Sequence, residues 1–324
     1  MKLKRRDFLK LSAGSGLLMA ANGPTAALAR AEKALPPEAV GILYDSTLCI
    51  GCQACMAGCK DANEMPLESQ DPLKRWDNPP DLSASTLNII KRYADGNATV
   101  KDQEQNGYAF IKRQCLHCAD PACVTACPVS ALRKDSQSGV VSYNKDACIG
   151  CRYCQIACPF NVPKFQWHSA TPEIVKCQLC DHLMKKGKYA NCCATCPTGA
   201  SLFGPVAGLM LEAKRRLSLE PGVDADFPLN RIDSSPARTT SHKVGHYIQH
   251  LYGENEVGGT QVMFLAGVPF TKLGLPTLPD ESFAGLDGGI QSAIFKGTVY
   301  PLALLGALVY MVRRSAPGDK ENKG

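Results

Sequence analysis

Two uncharged, largely apolar stretches stand near the ends of the chain, at residues 11–21 and 297–312, and short apolar runs broken by turn residues fill the interior. Residues 87–93 and 108–113 are rich in β-branched and aromatic side chains, with Asp95-Gly96 and Asn106-Gly107 as turn signals. That pattern predicts a loop followed by a β-hairpin. Ser130-Ala131-Leu132 and Thr198-Gly199-Ala200 each lead toward a strand, after Cys127-Pro128 and Cys196-Pro197, where the proline stops any helix and fixes φ. Residues 209–217 read as a helix that ends before Pro221-Gly222. Residues 218–289 are rich in glycine and proline and lack a clear period. They predict a segment that wraps over the rest of the molecule, because such a stretch does not easily build a core of its own.

Cysteine changes this picture most. Sixteen of the seventeen cysteines fall into four groups. The first is Cys49-x2-Cys52-x2-Cys55-x3-Cys59, and the second is Cys115-x2-Cys118-x4-Cys123-x3-Cys127-Pro128. The third, Cys148-x2-Cys151-x2-Cys154-x3-Cys158-Pro159, repeats the Cys-Ile-Gly-Cys opening of the first. The fourth opens with Cys177-x2-Cys180, crosses a surface excursion at residues 181–191, and closes with Cys192-x3-Cys196-Pro197. Three close thiolates wrap one cubane, and the fourth, just before a proline, ligates the other cluster of a pair. The spacing therefore predicts four [4Fe–4S] clusters. Structural zinc uses two Cys-x2-Cys pairs without the Cys-Pro ending, and a disulfide framework suits short secreted chains, not one of 324 residues. Cys192 and Cys193 are adjacent, and Cys192 keeps the x3 spacing to Cys196, so Cys192 is taken as the ligand and Cys193 as a small buried thiol. A swap between the two stays open. The expected fold is α+β, with duplicated ferredoxin-like modules binding the four clusters and a C-terminal single transmembrane helix.

The ends suggest targeting. Lys4-Arg5-Arg6-Asp7-Phe8-Leu9-Lys10, the apolar run and Ala27-Leu28-Ala29 together describe a twin-arginine signal peptide over residues 1–29. Such export carries proteins already folded, which reconciles reduced thiols with an oxidising compartment. Removing that segment takes a net +4 from the whole-chain +6 and leaves +2, too little for a basic nucleic-acid-binding protein. Residues 297–312 would span about 24 Å as a helix. Counting back to Ile290, with Lys296 snorkelling, predicts a transmembrane anchor over 290–312 and a cytoplasmic tail at 313–324. Arg313-Arg314 would keep that tail inside and place the cluster domain on the periplasmic face of the inner membrane. The remaining expected divisions are a cluster domain at 30–217 with an insertion at 60–114, and the wrapping segment at 218–289.

Other residues invite narrower readings. His242, His246 and His250 recur every four residues, but Gly245 and Tyr247-Ile248 argue against the helix that would bring them to one face. His117 lies inside the second cysteine loop, where packing or an N–H···S contact is expected rather than ligation. Lys112, Arg113, Arg152, Lys164 and Lys176 lie beside cysteine loops and are candidates to stabilise reduced states. The chain carries no Walker A, G-x-G-x-x-G, G-x-S-x-G or H-E-x-x-H motif. No catalytic residue is predicted, and sixteen thiolates complete four clusters without leaving an open site for a self-contained enzyme.

The four groups, together with Tyr44-Asp45-Ser46-Thr47-Leu48-Cys49, Asn106-Gly107-Tyr108-Ala109, His250-Leu251-Tyr252-Gly253-Glu254 and Gly258-Gly259-Thr260-Gln261-Val262, resemble the four-cluster subunits of respiratory oxidoreductases. Within that group the chain is similar to the hydrogenase-2 iron–sulfur subunits along nearly its whole length. Formate dehydrogenase and other molybdenum respiratory enzymes have β subunits with the same spacings, but those usually travel on a partner's signal. The resemblance implies a non-catalytic subunit passing electrons from a periplasmic [NiFe] hydrogenase, with its small and large subunits, to an integral membrane quinone-reactive subunit. It also implies the ligand sets: Cys49, Cys52, Cys55 with Cys196; Cys115, Cys118, Cys123 with Cys158; Cys148, Cys151, Cys154 with Cys127; and Cys177, Cys180, Cys192 with Cys59. Lys60 follows Cys59 where the other three groups have proline.

Overall fold

The computed structural model describes residues 33–67, 79–167, 169, 172–233, 237–285, 302 and 304–312. The chain runs through β1 (Val40–Asp45), α1 (Ala54–Ala62), β2 (Ile89–Ala94), β3 (Val100–Lys101), β4 (Gly107–Arg113), α2 (Ala122–Thr125), β5 (Leu132–Lys134) and β6 (Val141–Tyr143). It continues through α3 (Tyr153–Ala157), β7 (Lys164–Phe165), β8 (Ile174–Val175), α4 (Asp181–Met184), α5 (Asn191–Ala194) and β9 (Ser201–Pro205). After α6 (Val206–Leu217) come β10 (Asp224–Pro228), β11 (Thr239–Lys243) and β12 (Val262–Leu265).

The core is a three-stranded sheet ordered β12-β1-β9. β1 pairs with β12 in parallel, Ile42 opposite Val262, and with β9 antiparallel, Ile42 opposite Phe203. Ile42, Leu43, Leu202 and all of β12 are fully buried. Helix α6 lies against β1 and β9 and turns Val206, Leu209 and Ala213 inward. β12 comes from the stretch without a clear period. Its Val-Met-Phe-Leu run shows no alternation because a strand covered on both faces has none to show. Residues 218–284 thus supply a core strand and the antiparallel β10-β11 pair as well as loops.

The expected hairpin is present as β2 and β4, paired antiparallel from Ile89–Arg113 to Ala94–Tyr108, with β3 added parallel to β4. Around the second and third cysteine groups the cover is thinner. Two-stranded β5-β6 and β7-β8 flank a separate small core of Leu132, Cys154 and Ile174.

A buried ionic network fastens α6 to β1. Arg216, fully buried, donates to Asp45 Oδ2 at 2.9 Å and to Glu212 Oε1 at 2.8 Å. The Tyr247 hydroxyl donates to Asp45 Oδ2 at 2.7 Å, and the guanidinium lies 5.1 Å from the Phe227 ring centre. Removing one member leaves the others buried without their counter-charge. Arg216→Met is expected to cost about 3–5 kcal/mol, measured by urea unfolding of the cluster-loaded protein.

The transmembrane helix expected at 290–312 is corrected here, and the membrane location argued from it falls too. Among the described residues no helix is long and apolar enough to cross a membrane. Of that segment only residues 302 and 304–312 are described, as helix. Nine residues rise only about 14 Å, against about 30 Å of bilayer hydrocarbon. The proposed signal at 1–29 and tail at 313–324 lie outside the described residues.

Candidate metal centres

Each cysteine group opens with the same backbone turn. The residue two after the first cysteine has a left-handed backbone in all four: Gly51 (φ 67°), His117 (φ 50°), Gly150 (φ 71°) and Leu179 (φ 53°). That conformation turns N–H groups inward toward sulfur. Gly51 N–H donates to Cys49 Sγ at 3.4 Å, Gly150 N–H to Cys148 Sγ at 3.4 Å, and Leu179 N–H to Cys177 Sγ at 3.3 Å. Gly51 is required twice over, since a Cβ there would stand 2.5 Å from the Phe110 ring. His117 and Leu179 adopt the turn with side chains at about 1–2 kcal/mol each. A left-handed residue then starts the helix in three groups: Gln53 before α1, Arg152 before α3 and Cys180 before α4.

Helices from different cysteine groups pack in pairs. α1 lies against α5, where Asn191 Nδ2 donates to Gly58 O at 2.7 Å and Thr195 Oγ1 to Ala54 O at 3.3 Å. Gly58 permits that approach, since a Cβ there would meet Thr195 at 2.7 Å. α2 packs on α3 in the same manner. Cys59 is thereby brought within electrostatic range of Cys180 and Cys192, Cys158 of Cys115, Cys196 of Cys49 and Cys55, and Cys127 of Cys154.

Burial is the main influence on these thiols. It pushes Cys49 up to about 11, against hydrogen bonds from Tyr44 and the Gly51 N–H, with Cys196 adding to the rise. It pushes Cys59 up to about 12, with Cys192 and Cys180 adding, and Cys123 up to about 12, with Cys115 adding. Cys154 rises to about 11 through burial and then Cys127, Cys151 and Cys148. Influences between thiols of different groups also link the neighbourhoods. Cys55 feels Cys192, Cys177 feels Cys115, and Cys123 feels Cys154. The sets therefore adjoin in the sequence Cys49, Cys177, Cys115, Cys148.

The residues fit iron–sulfur clusters. All seventeen cysteines are free thiols. Crowded, buried thiols need a cationic core to be held as thiolates, and the inward N–H groups are the donors that thiolate sulfur accepts. Among the described residues no three or more His, Cys, Asp or Glu side chains could hold a single metal ion, the arrangement a mononuclear zinc site requires.

Of the cations singled out from sequence, two stand among the thiols. Lys112 is fully buried beside Cys192, Cys193 and Cys55. Lys176 is buried with Nζ donating to Val141 O and to Cys177 O, the latter at 3.0 Å. The other three are engaged elsewhere. Arg113 Nη1 donates to Gly274 O at 3.3 Å, Lys164 pairs with Asp81 at 3.0 Å, and Arg152 stacks 4.7 Å from the Trp167 ring centre. Sequence reasoning missed Lys134, whose Nζ donates to Cys118 O at 2.7 Å. Its value is lowered to about 8, chiefly by burial. Lys134 follows Arg133 on short β5, and nothing local separates the half-buried charge from its exposed neighbour. His117 is buried and accepts from Val141 N–H at Nδ1 over 3.0 Å, and burial and then Lys176 hold its ring well below the ordinary histidine range. His242 lies on β11, and its Nε2 is 3.1 Å from Thr198 O. His250 Nε2 is 2.6 Å from Glu256 Oε1, so these histidines serve separate contacts.

Residues 106–206 match the 4Fe-4S dicluster domain family. The chain is 45% identical to the hydrogenase-2 operon protein HybA of Escherichia coli O157:H7, over 99% of this chain and 98% of that protein. It belongs to the HybA family. The nitrate-inducible formate dehydrogenase iron-sulfur subunit of Escherichia coli K12 is 31% identical over 82% of this chain and 80% of its own length. The formate dehydrogenase iron-sulfur subunit of Haemophilus influenzae is 31% identical over 86% of this chain and 78% of its own. Family membership and the dicluster match support iron–sulfur clusters in this chain.

Proposed function

We propose that this chain is the non-catalytic electron-transfer subunit of a hydrogenase-2-type hydrogen:quinone oxidoreductase, carrying four [4Fe–4S] clusters. The observation that supports it best is the crowding of thiols from different cysteine groups, Cys59 with Cys180 and Cys192, Cys158 with Cys115, Cys196 with Cys49, and Cys127 with Cys154. Cys49, Cys52, Cys55 and Cys196 hold one cluster, and Cys59, Cys177, Cys180 and Cys192 the next. Cys115, Cys118, Cys123 and Cys158 hold the third, and Cys127, Cys148, Cys151 and Cys154 the last. The clusters supply reversible one-electron chemistry. The chain's residues exclude water from the interior sets, donate N–H groups to sulfur, and fix the order of the sets. Both end sets reach the surface, which supports exchange with partners there: Cys52 and Ile50 are exposed at one end, and Ile149, Tyr153 and Ile156 at the other.

The partners proposed are the small and large subunits of a [NiFe] hydrogenase and an integral membrane quinone-reactive subunit. Elemental analysis tests the chemistry, with about sixteen irons expected per chain and zinc without iron refuting it. Purification of the intact complex tests the partner. Nickel in stoichiometric amount is expected, and molybdenum in its place would assign the chain to a formate dehydrogenase or a related enzyme.

A further inference from the structure

Three lysines are almost wholly buried near the cysteine loops, and one differs from the others in its surroundings. Lys60 Nζ donates to Pro66 O at 2.9 Å and Ser85 O at 3.0 Å, and Lys176 donates to two carbonyls, so each ammonium is met by backbone oxygen. Lys112 Nζ has the Ser201 hydroxyl, at a long 3.4 Å. Among the described residues no carboxylate pairs with it. An ammonium taken out of water without a counter-charge is strongly unfavourable. The groups facing its charge are thiols, those of Cys192, Cys193 and Cys55, and it also acts on Cys59 and Cys180.

β4 holds the lysine in this position. Lys112 pairs with Ile90 of β2 across the sheet, and buried Ile111 precedes it. The side chain is fully buried, so its amino group is held among these thiols.

We propose that Lys112 sets the reduction potential of the cluster held by Cys59, Cys177, Cys180 and Cys192, holding it above the value a neutral residue would give. The inference rests on the function proposed above. Reduction at that site adds one electron from an adjoining cluster and takes up no proton, so the added negative charge is met by the ammonium already in place. A unit charge a few ångströms away in a water-poor interior is worth at least a tenfold change in a one-electron equilibrium. The Cys49 set feels the same charge through Cys55.

The test is a redox titration of the cluster-loaded complex followed by electron paramagnetic resonance, on Lys112→Met, Lys112→Gln and Lys112→Arg. The signal to follow is the one lost in Cys192→Ser. In the neutral variants its reduced-to-oxidised ratio at a fixed potential should fall about tenfold or more, which is about 59 mV for one electron. Lys112→Arg should stay within about twofold of the parent. If either neutral variant keeps full iron and its midpoint does not move, the inference fails while the four-cluster reading stands. If both neutral variants lose iron and only Lys112→Arg keeps it, the charge serves assembly, and the proposal is overturned. Parent protein without four cluster signals would defeat the underlying function instead.

Discussion

Cys192→Ser should abolish one cluster and about four of about sixteen irons, while Cys193→Ser leaves iron content and the electron paramagnetic resonance spectrum nearly unchanged. The two thiols are neighbours on α5 but differ in what they face. Cys192 looks toward Cys59 and Cys180. Cys193 and Lys112 beside it draw its thiol below the ordinary range, against the opposition of burial. Cys192 also keeps the x3 spacing to Cys196, which is why it is proposed as the ligand. Cys193 is fully buried, and burial and then Cys192 push it up. Serine keeps the small volume and the donor that Cys193 uses. The reverse outcome, iron lost in Cys193→Ser and kept in Cys192→Ser, would assign the ligand to Cys193. A companion substitution tests the crossing. Cys127→Ser should alter the cluster of Cys148, Cys151 and Cys154 and spare that of Cys115, Cys118 and Cys123, and loss confined to the latter would refute the exchange of fourth ligands.

Removal of iron should melt the molecule unevenly, with the largest effect at α2, β5-β6, α3 and β7-β8. The cover there is two-stranded β5-β6 and β7-β8 around a core of three buried side chains, one of which is Cys154. So little apolar surface cannot offset the entropy of ordering those loops. Cluster binding is then most of the folding energy of that region, as metal binding is in other small metal-organised units. The β12-β1-β9 sheet has a conventional core and the Arg216 network, so it should survive chelation in part. Hydrogen exchange checks this. After iron removal, amides of β5, β6 and α3 should lose protection by several orders of magnitude, while those at Ile42 to Tyr44 keep measurable protection. Uniform loss across both regions would show that the clusters organise the whole chain as one cooperative unit.

Much of this was legible in the sequence. The cysteine spacings, the repeated Cys-Ile-Gly-Cys turns and the β2-β4 hairpin depend on residues within a few positions of one another, and local geometry decides them. Gly51 and Gly150 announce the left-handed turn directly, because glycine adopts it freely. His117 and Leu179 make the same turn without that signal, and only the fold reveals it. Hydropathy proved a weaker guide at both ends of its range. The uncharged run at 297–312 met a composition test for a membrane span, but apolar composition does not determine helix length, and no described helix reaches the required one. The apolar run of β12 was too short and too uniform to stand out, although it lies beside β1 at the centre of the core. Packing alone decided that α1 meets α5 and α2 meets α3, and hence which distant cysteines come near one another. It also decided that Lys112 and Lys176 are enclosed among thiols while Arg113, Arg152 and Lys164 engage other partners. Spacing along the chain fixes what a loop can bind, but the electrostatic surroundings of the bound group come from segments far apart in sequence, which only tertiary packing brings within range.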